Sequence, residues 1–445
     1  MSGLRIFKSI NIRFREINGV YDKNGNKQID CIIHLIQGDD ISHAFDIEVT
    51  NSAGNFGAAG GFNFQHKNIF RGAELLSVSA RIARQDQYVY KSEKLFNTLE
   101  TGGETSIVFP KFLLPIRIEK FRQRYNPYTN MSVSYNYQRR PDYTRTIANA
   151  RIGYLWRSSR TTSHNFSLFD LNFVNIPHIS TDFKNMIDST FLHNIYQNHF
   201  ILNSNYTITY NRQPLGRNTS FWFVRYNIEI AGNLLNLVVP LVSKSQEDYY
   251  SMFGVRYAQY IKNEIDIRYN QRVNRLTSII YRIFTGVAIP YGNLDVLPFS
   301  KRYFSGGAYS LRAWPVRGVG PGFVQNDFSK FDNQTADIKL EANVEYRFKL
   351  FWVLEGAFFL DAGNIWDIRK NNAREGGLFK FDEFYKQIAL GTGFGTRFDF
   401  NFVLFRIDFG LKLYDPSELQ GVRWRPFAGY TSNDFAFNFA IGYPF

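Results

Sequence analysis

The 445-residue chain has a single cysteine, Cys31. An internal disulfide is therefore impossible, and so is a zinc site built on paired thiolates. No unbroken apolar run reaches the roughly eighteen residues that a membrane-crossing helix requires. Catalytic signatures are missing as well. No Gly-x-Ser-x-Gly elbow offers a nucleophilic serine, and no His-x-x-x-His pair offers metal ligands at helical spacing. Gly57-Ala-Ala-Gly-Gly61 is not a phosphate cradle, because it lacks the Lys-Ser/Thr pair and the helix of a P-loop. It reads instead as a strand softened by glycine. The seven histidines are scattered. No enzyme, cofactor or bound metal is expected. Basic residues exceed acidic ones by 13, yet they are spread along the chain rather than clustered, so no nucleic-acid partner is expected. They suit a polar interior and polar loops, or loops that dock lipid phosphates.

What the chain does have is alternation. Phe435, Phe437, Phe439, Ile441, Tyr443 and Phe445 are large and apolar, while Ala436, Asn438, Ala440, Gly442 and Pro444 between them are small or polar. Such a period of two makes a strand with one greasy face. Met131, Val133, Tyr135 and Tyr137 alternate with Ser132, Ser134, Asn136 and Gln138 in the same way. Phe200, Leu202, Ser204, Tyr206, Ile208 and Tyr210 alternate with Ile201, Asn203, Asn205, Thr207, Thr209 and Asn211. The second set is too polar for the core of a sandwich and suits a wet lumen. Aromatic residues make up 17% of the chain although its mean hydropathy is −0.28, a combination that fits lipid-facing strands rather than a packed interior. The fold class is all-β, a transmembrane antiparallel barrel. On this reading the greasy face of 435–445 meets lipid and Phe445 sits in the interfacial aromatic girdle.

About sixteen segments have the length of membrane strands. They lie near 44–50, 56–66, 74–84, 104–111, 131–138, 147–157, 165–171, 197–210, 219–230, 255–269, 276–289, 336–348, 351–362, 386–399, 402–413 and 435–445. An even count puts both ends of the barrel on the periplasmic side, so the longest connection, 290–335, starts outside. A second outer loop, 174–196, has room for a short helix between Asp182 and Asn198. Before the barrel, 5–15 and 28–36 read as two strands joined by the turn residues Asp22-Lys-Asn-Gly-Asn26. A lone hairpin is marginal in water, and Met1-Ser-Gly-Leu-Arg5 is no export signal. The chain is therefore expected to be the C-terminal portion of a longer exported protein.

The loop contains Gly306-Gly-Ala-Tyr-Ser-Leu-Arg-Ala-Trp314 and then Val319-Gly-Pro-Gly322. Leu311-Arg-Ala-Trp314 resembles the Val-Arg-Gly-Phe/Tyr motif in the sixth loop of the BamA/TamA superfamily of outer-membrane assembly barrels. Phe359-Leu-Asp-Ala-Gly363 resembles the same superfamily's Phe/Gly-x-Asp-x-Gly motif on the thirteenth strand. Phe109-Pro-Lys-Phe112, Asn126-Pro127, Asn68-Ile-Phe-Arg-Gly-Ala73 and Gly442-Tyr-Pro-Phe445 are most similar to its TamL-type branch. The motif departs from the family at Leu311, Ala313 and Trp314, and an alanine in place of glycine restricts the turn. The resemblance implies that loop six folds into the lumen and that Arg312 pairs with acids of the wall. Strand parity independently turns Lys339, Glu341, Asn343 and Glu345 inward on the twelfth strand, and Glu355 and Asp361 on the thirteenth. The expected site is Arg312, Trp314, Glu345, Asp361 and Gly363, with Arg317 as a second loop-to-wall or phosphate contact.

By the same resemblance, 1–38 is the closing hairpin of an incomplete periplasmic POTRA-like domain and 39–445 is the barrel. The implied work is insertion or export of client proteins without nucleotide hydrolysis. The implied partners are unfolded outer-membrane or exported clients, outer-membrane lipid and lipopolysaccharide, and periplasmic or inner-membrane accessory proteins. The route would be β-augmentation at a weak seam between the first strand and the last. Phe435, Phe437, Phe439, Gly442, Pro444 and Phe445 form one side of that seam. It is weak because Pro444 removes a ladder donor and Asn51-Ser-Ala-Gly-Asn55 ends the first strand early. The alternatives are a two-partner secretion transporter and a passive porin.

Overall fold

The computed structural model describes residues 6–21, 25, 27–52, 55–85, 98–113, 126–188, 197–213, 219–242, 249–252, 254–325, 334–370, 374–400 and 403–445. Two strands come first, β1 (Phe7–Tyr21) and β2 (Lys27–Gln37), paired antiparallel with Phe14 opposite Cys31. Among the described residues they pair with no other strand. Most of the turn between them, 22–26, lies outside the described residues.

Sixteen strands then form one antiparallel sheet in simple chain order. The first eight are β3 (Ile41–Ser52), β4 (Asn55–His66), β5 (Leu75–Gln85), β6 (Thr98–Phe109), β7 (Tyr128–Arg139), β8 (Tyr143–Arg157), β9 (Thr162–Ile179) and β10 (His199–Asn211). Helix α1 (Thr181–Asp188) lies between the last two. β11 (Phe221–Ala231) is followed by helix α2 (Asn233–Val242) and a small hairpin, β12 (Ser251–Met252) and β13 (Val255–Arg256). The sheet resumes with β14 (Tyr260–Arg272), β15 (Thr277–Pro290), β16 (Ile338–Phe351) and β17 (Leu354–Trp366). It ends with β18 (Ala389–Asp399), β19 (Leu404–Tyr414) and β20 (Phe435–Ile441). The five longest connections leave one end of the sheet, after β9, β11, β15, β17 and β19, whereas four-residue and two-residue turns join β14 to β15 and β16 to β17 at the other, which also holds the 110–127 connection. The β1–β2 hairpin precedes β3 at that same end, and in outer-membrane barrels it is the periplasmic end that carries short turns.

The period-two pattern explains the two faces. On β16, Glu341, Asn343, Glu345 and Arg347 are buried in the lumen while Val344 and Tyr346 are exposed to the outside. Inward polar groups satisfy one another across strands. Asn205 donates to Asn227 at 2.8 Å, and Asn227 donates to Glu264 at 3.1 Å. Outside, Trp222, Tyr269 and Tyr281 stack across three successive strands with ring centroids 4.4 and 6.3 Å apart. Phe394 stacks on Phe409 at 5.2 Å, and Phe437 meets Phe409 edge-on at 5.1 Å. Cross-strand aromatic pairs of this kind add about 0.2–1 kcal/mol each.

Several expectations need correction. β3 runs to Ser52 and pairs it with Asn55 at the start of β4, so the first strand is not cut short. Strand pairing at the other edge stops at Ile441, because Gly442 takes φ 86° and turns the chain. Tyr443, Pro444 and Phe445 leave the ladder, so Phe445 is not a girdle residue. β9 extends to Ile179, which shortens the outer loop expected at 174–196. Its helix begins at Thr181, and 189–196 lie outside the described residues.

Candidate functional site

Loop six turns back on itself through residues that permit tight backbone. Gly306 and Gly307 adopt φ 102° and 94°, a region open to glycine at little strain. The amide of Gly307 donates to Trp314 O at 2.9 Å, and that of Trp314 to Leu311 O at 3.2 Å. This knot drives Leu311, Arg312, Ala313 and Trp314 against the inner wall, where all four are buried. Ala313 needs no left-handed backbone. The room that the motif's glycine would have supplied comes from the wall instead. A Cβ on Gly391 would lie 2.7 Å from Ala313 Cβ and 2.9 Å from Trp314, and one on Gly410 would lie 2.5 Å from Arg312 O. Both glycines face inward on β18 and β19, and together they form a groove that receives the loop.

Arg312 is held from three directions. Its Nε and Nη2 fork onto Asp361 at 2.9 and 2.8 Å, and its backbone amide donates to the same carboxylate at 3.0 Å. Its Nη1 donates to Glu345. The guanidinium also lies 3.7 Å from the centroid of the Phe359 ring. All three charged side chains are excluded from solvent. A bidentate fork on a carboxylate suits arginine, whose charge is permanent and planar. Asn343 fixes the second lone pair of Asp361 by donating at 2.9 Å, and it also donates to Ser310 O at 3.1 Å.

The pair sits in a wider network. Glu345 also receives Arg347 at 2.6 Å and Arg397 at 3.2 Å. Asp408 lies 2.8 Å from Arg397 and 3.0 Å from Arg406, and Arg406 donates to Ala308 O at 3.0 Å. Lys339 and two loop serines, Ser305 and Ser310, converge on Glu341. Four strands and one loop are thereby tied together by alternating charge. Removing one member of such a desolvated set typically costs about 3–5 kcal/mol, because its partner is left buried and unpaired.

The remaining expected residues fall around this centre. Trp314 is buried and its indole donates to Asp415 at 3.2 Å. Gly363 does not touch the arginine; its missing side chain lets β16 approach, with Leu340 O 2.5 Å from where a Cβ would stand. Arg317 lies over the rings of Phe299 and Phe304 at 4.6 and 5.2 Å, and Phe304 O accepts from Lys339 of the network. On β20, Phe435, Phe437 and Phe439 are exposed on the outer face. Beyond Gly442 the chain bends into the lumen. Tyr443 donates to Glu355 at 3.0 Å under the Arg347 guanidinium, and the Phe445 ring comes within 5.5 Å of the Arg312 guanidinium. Pro444 is buried between them.

Loop six also reaches the last strand. Asn438 on β20 donates to Arg312 O at 2.8 Å, and the Tyr309 hydroxyl donates to Ile441 O at 2.6 Å.

A barrel of sixteen strands whose sixth loop docks an arginine on acids of the twelfth and thirteenth strands limits the choice of family. The Omp85 superfamily domain matches residues 44–445. The chain belongs to the Omp85 superfamily. Among solved structures this Omp85 chain is similar to BamA from Haemophilus ducreyi lacking POTRA domains 1–3, with a TM-score of 0.62 and 12% identity over 99% of this chain and 76% of that one. CdiB from Acinetobacter baumannii follows at 0.53, with 14% identity over 98% and 66%. CdiB from Escherichia coli stands at 0.52, with 10% identity over 98% and 68%. At these identities the likeness speaks for the fold, and the family match places the chain among outer-membrane barrels.

Several residues of the site were not singled out by motif: Asn343, Arg397, Asp408, Gly391, Gly410 and Asn438. Parity alone would have turned Arg397 and Asp408 inward. The glycines were readable too, because Gly391, Gly393 and Gly395 occupy successive inward positions of one strand.

Proposed function

We propose that this Omp85 barrel inserts or exports client proteins at the outer membrane through the seam between β3 and β20, with Arg312, Asp361 and Glu345 holding loop six in place during that work. The observation carrying the proposal is the seam. Successive strands from β3 to β20 are joined by registered ladders, yet among the described residues no ladder pair joins β3 to β20. Two strand edges without a ladder partner can each accept a client strand, although Tyr309 already occupies Ile441 O at the end of β20, and such pairing needs no nucleotide. An unpaired edge also opens at low free energy. The client is then an unfolded chain rich in alternating strands, and any accessory protein would engage the periplasmic end near the β1–β2 hairpin, read here as POTRA-like.

A two-partner transporter or a porin would instead use the lumen, and loop six fills the part of the lumen beside β16–β19. The two routes separate in one experiment. With Cys31→Ser as background, one cysteine replaces Phe45 or Ile47 on β3 and another replaces Phe437 or Phe439 on β20. Cross-linking is expected to abolish assembly of a porin client in reconstituted vesicles, and reductant is expected to restore it. Undiminished assembly by the locked barrel would refute the seam route.

A further inference from the structure

Between β11 and β14 the chain makes an excursion that the assembly reading does not use. Gly232, at φ 78°, ends β11, and its amide donates to Leu202 O at 2.9 Å. Helix α2 follows at once, with the sequence Asn-Leu-Leu-Asn-Leu-Val-Val-Pro-Leu-Val and no charge. Its Leu235 and Val239 are buried against Phe200 and Tyr257, with Leu171, Phe173 and Leu202 partly buried beside them. Phe200 and Leu202 alternate with the lumen residues Ile201 and Asn203, and Asn203 donates to the inward Glu229. Phe200 and Leu202 therefore belong to the outer face of the wall. The helix lies outside the barrel, on its lipid face, at the long-loop rim.

The two asparagines of α2, Asn233 and Asn236, are exposed residues flanking the apolar stripe, yet the side-chain oxygen of each is taken by the protein. Asn236 accepts from Tyr257 at 3.1 Å, and Asn233 accepts from Tyr291 at 2.8 Å and from Gln259 at 3.2 Å. What remains is a stripe at i, i+3, i+4 and i+7, Leu234, Leu237, Val238 and Leu241, in which Leu237 is 69% and Leu241 83% exposed. A stripe of this spacing with no polar member is one face of a helix built to lie in an apolar surface. It is continuous with the membrane-facing band, because Ile230, exposed on the outer face of β11, stands two residues before the helix.

We infer that α2 is an outer-leaflet anchor, its exposed stripe embedded in the acyl chains of the lipid around the barrel. The occupant is lipid rather than a protein partner because the other face of the helix rests on strands whose outer surface is itself lipid-facing. The anchor also has a defined place in the ring. It packs on the seventh and eighth of sixteen strands and springs from the ninth, opposite the β3–β20 edge. The inference does not depend on the seam route.

The test uses the full chain with Cys31→Ser and single cysteines at Leu237 and Leu241, each carrying a nitroxide, in bilayer discs of phosphatidylethanolamine and phosphatidylglycerol. Val133→Cys on the outer face of β7 is the lipid reference, and Gln420→Cys in an outer turn is the water reference. Folding of each variant is read by heat-modifiable mobility, and Val238→Cys reads the same stripe if either fails to fold. The oxygen-to-nickel collision ratio at 237 and 241 is expected to match that at 133 and to exceed that at 420 several-fold. A ratio equal to that at 420 overturns the anchor, and so does a label shielded from both colliders, which would mean protein cover.

Discussion

Adding one carbon at Gly410 should unseat loop six. The Cβ of Gly410→Ala would stand 2.5 Å from Arg312 O, 2.7 Å from Arg312 C and 2.7 Å from Ala313 Cα. All three are backbone positions of a segment pinned by Asp361 and Glu345, so no side chain can swing away to make room. Overpacking of this kind costs about 1–3 kcal/mol when the surroundings yield. If the loop leaves instead, the loss approaches the roughly 3–5 kcal/mol of a broken buried ion pair. Gly391→Ala meets a different obstacle, the Cβ of Ala313 at 2.7 Å and the rim of Trp314 at 2.9 Å. Trimming that Cβ with Ala313→Gly should recover part of the Gly391→Ala defect and none of the Gly410→Ala defect. Gly60→Ala has nothing within 4 Å and serves as the neutral control. The assay is trypsin cleavage of loop six in the folded barrel, followed with the temperature of heat-modified mobility. Full protection of loop six in Gly410→Ala, at wild-type transition temperature, would refute the docking geometry.

Other substitutions probe the network itself. Arg312→Ala should destabilise the docked loop by about 3–5 kcal/mol, against about 0.5–2 for Arg317→Ala, which loses its ring contacts, and adding Asp361→Asn should recover part of the loss; equal effects of the two arginines in thermal unfolding would refute the assignment. Trp314→Phe keeps the ring but loses the donor to Asp415, which Lys412 still holds at 3.0 Å, so it should cost about 1–3 kcal/mol and less than Trp314→Ala at about 3–5, as measured by urea unfolding in micelles. The outer loop after β19, which carries helix α3 (Arg425–Ala428), should loosen in acid. Burial works to raise the Asp434 carboxyl, but hydrogen bonds from Arg425 and Thr431 outweigh it and leave the group below its ordinary value. A lowered folded value means that the contribution is complete above the ordinary carboxylate range and disappears as pH falls through the depressed one. Proteolysis within 415–434 should rise in that acid window in the wild type and be high at neutral pH in Asp434→Asn.

The barrel was legible because strand parity is local. Six residues such as Phe200 to Asn205 suffice to tell lipid face from lumen, and the same parity pointed Glu345 and Asp361 at a common interior. What escaped detection depends on single backbone angles or on contacts far apart in sequence. Gly442 breaks a pattern that continues perfectly in letters through Phe445, because alternation does not encode φ. Asn51-Ser-Ala-Gly-Asn55 reads as an ending, yet Asn51 and Ser52 stay in β3 and pair with Phe56 and Asn55 of β4. The glycine groove makes sense only once Ala313 is known to lie against Gly391 and Gly410, across about a hundred residues of chain. Helix α2 fell in the unassigned stretch between 230 and 255, because periodicity alone does not tell whether a short apolar run is helix or strand.

The two hydrogen bonds between loop six and β20 make the edge of the finished sheet depend on the loop. Asn438 and Ile441 meet the loop through Arg312 O and the Tyr309 hydroxyl, groups that are in place only when the loop is already inside. The final strand is thus laid partly on a scaffold donated by an earlier segment of the same chain, and not only on its neighbour β19. Drawing the loop out of the lumen would therefore also remove two of the bonds that hold β20, so the loop and the last strand do not come free independently.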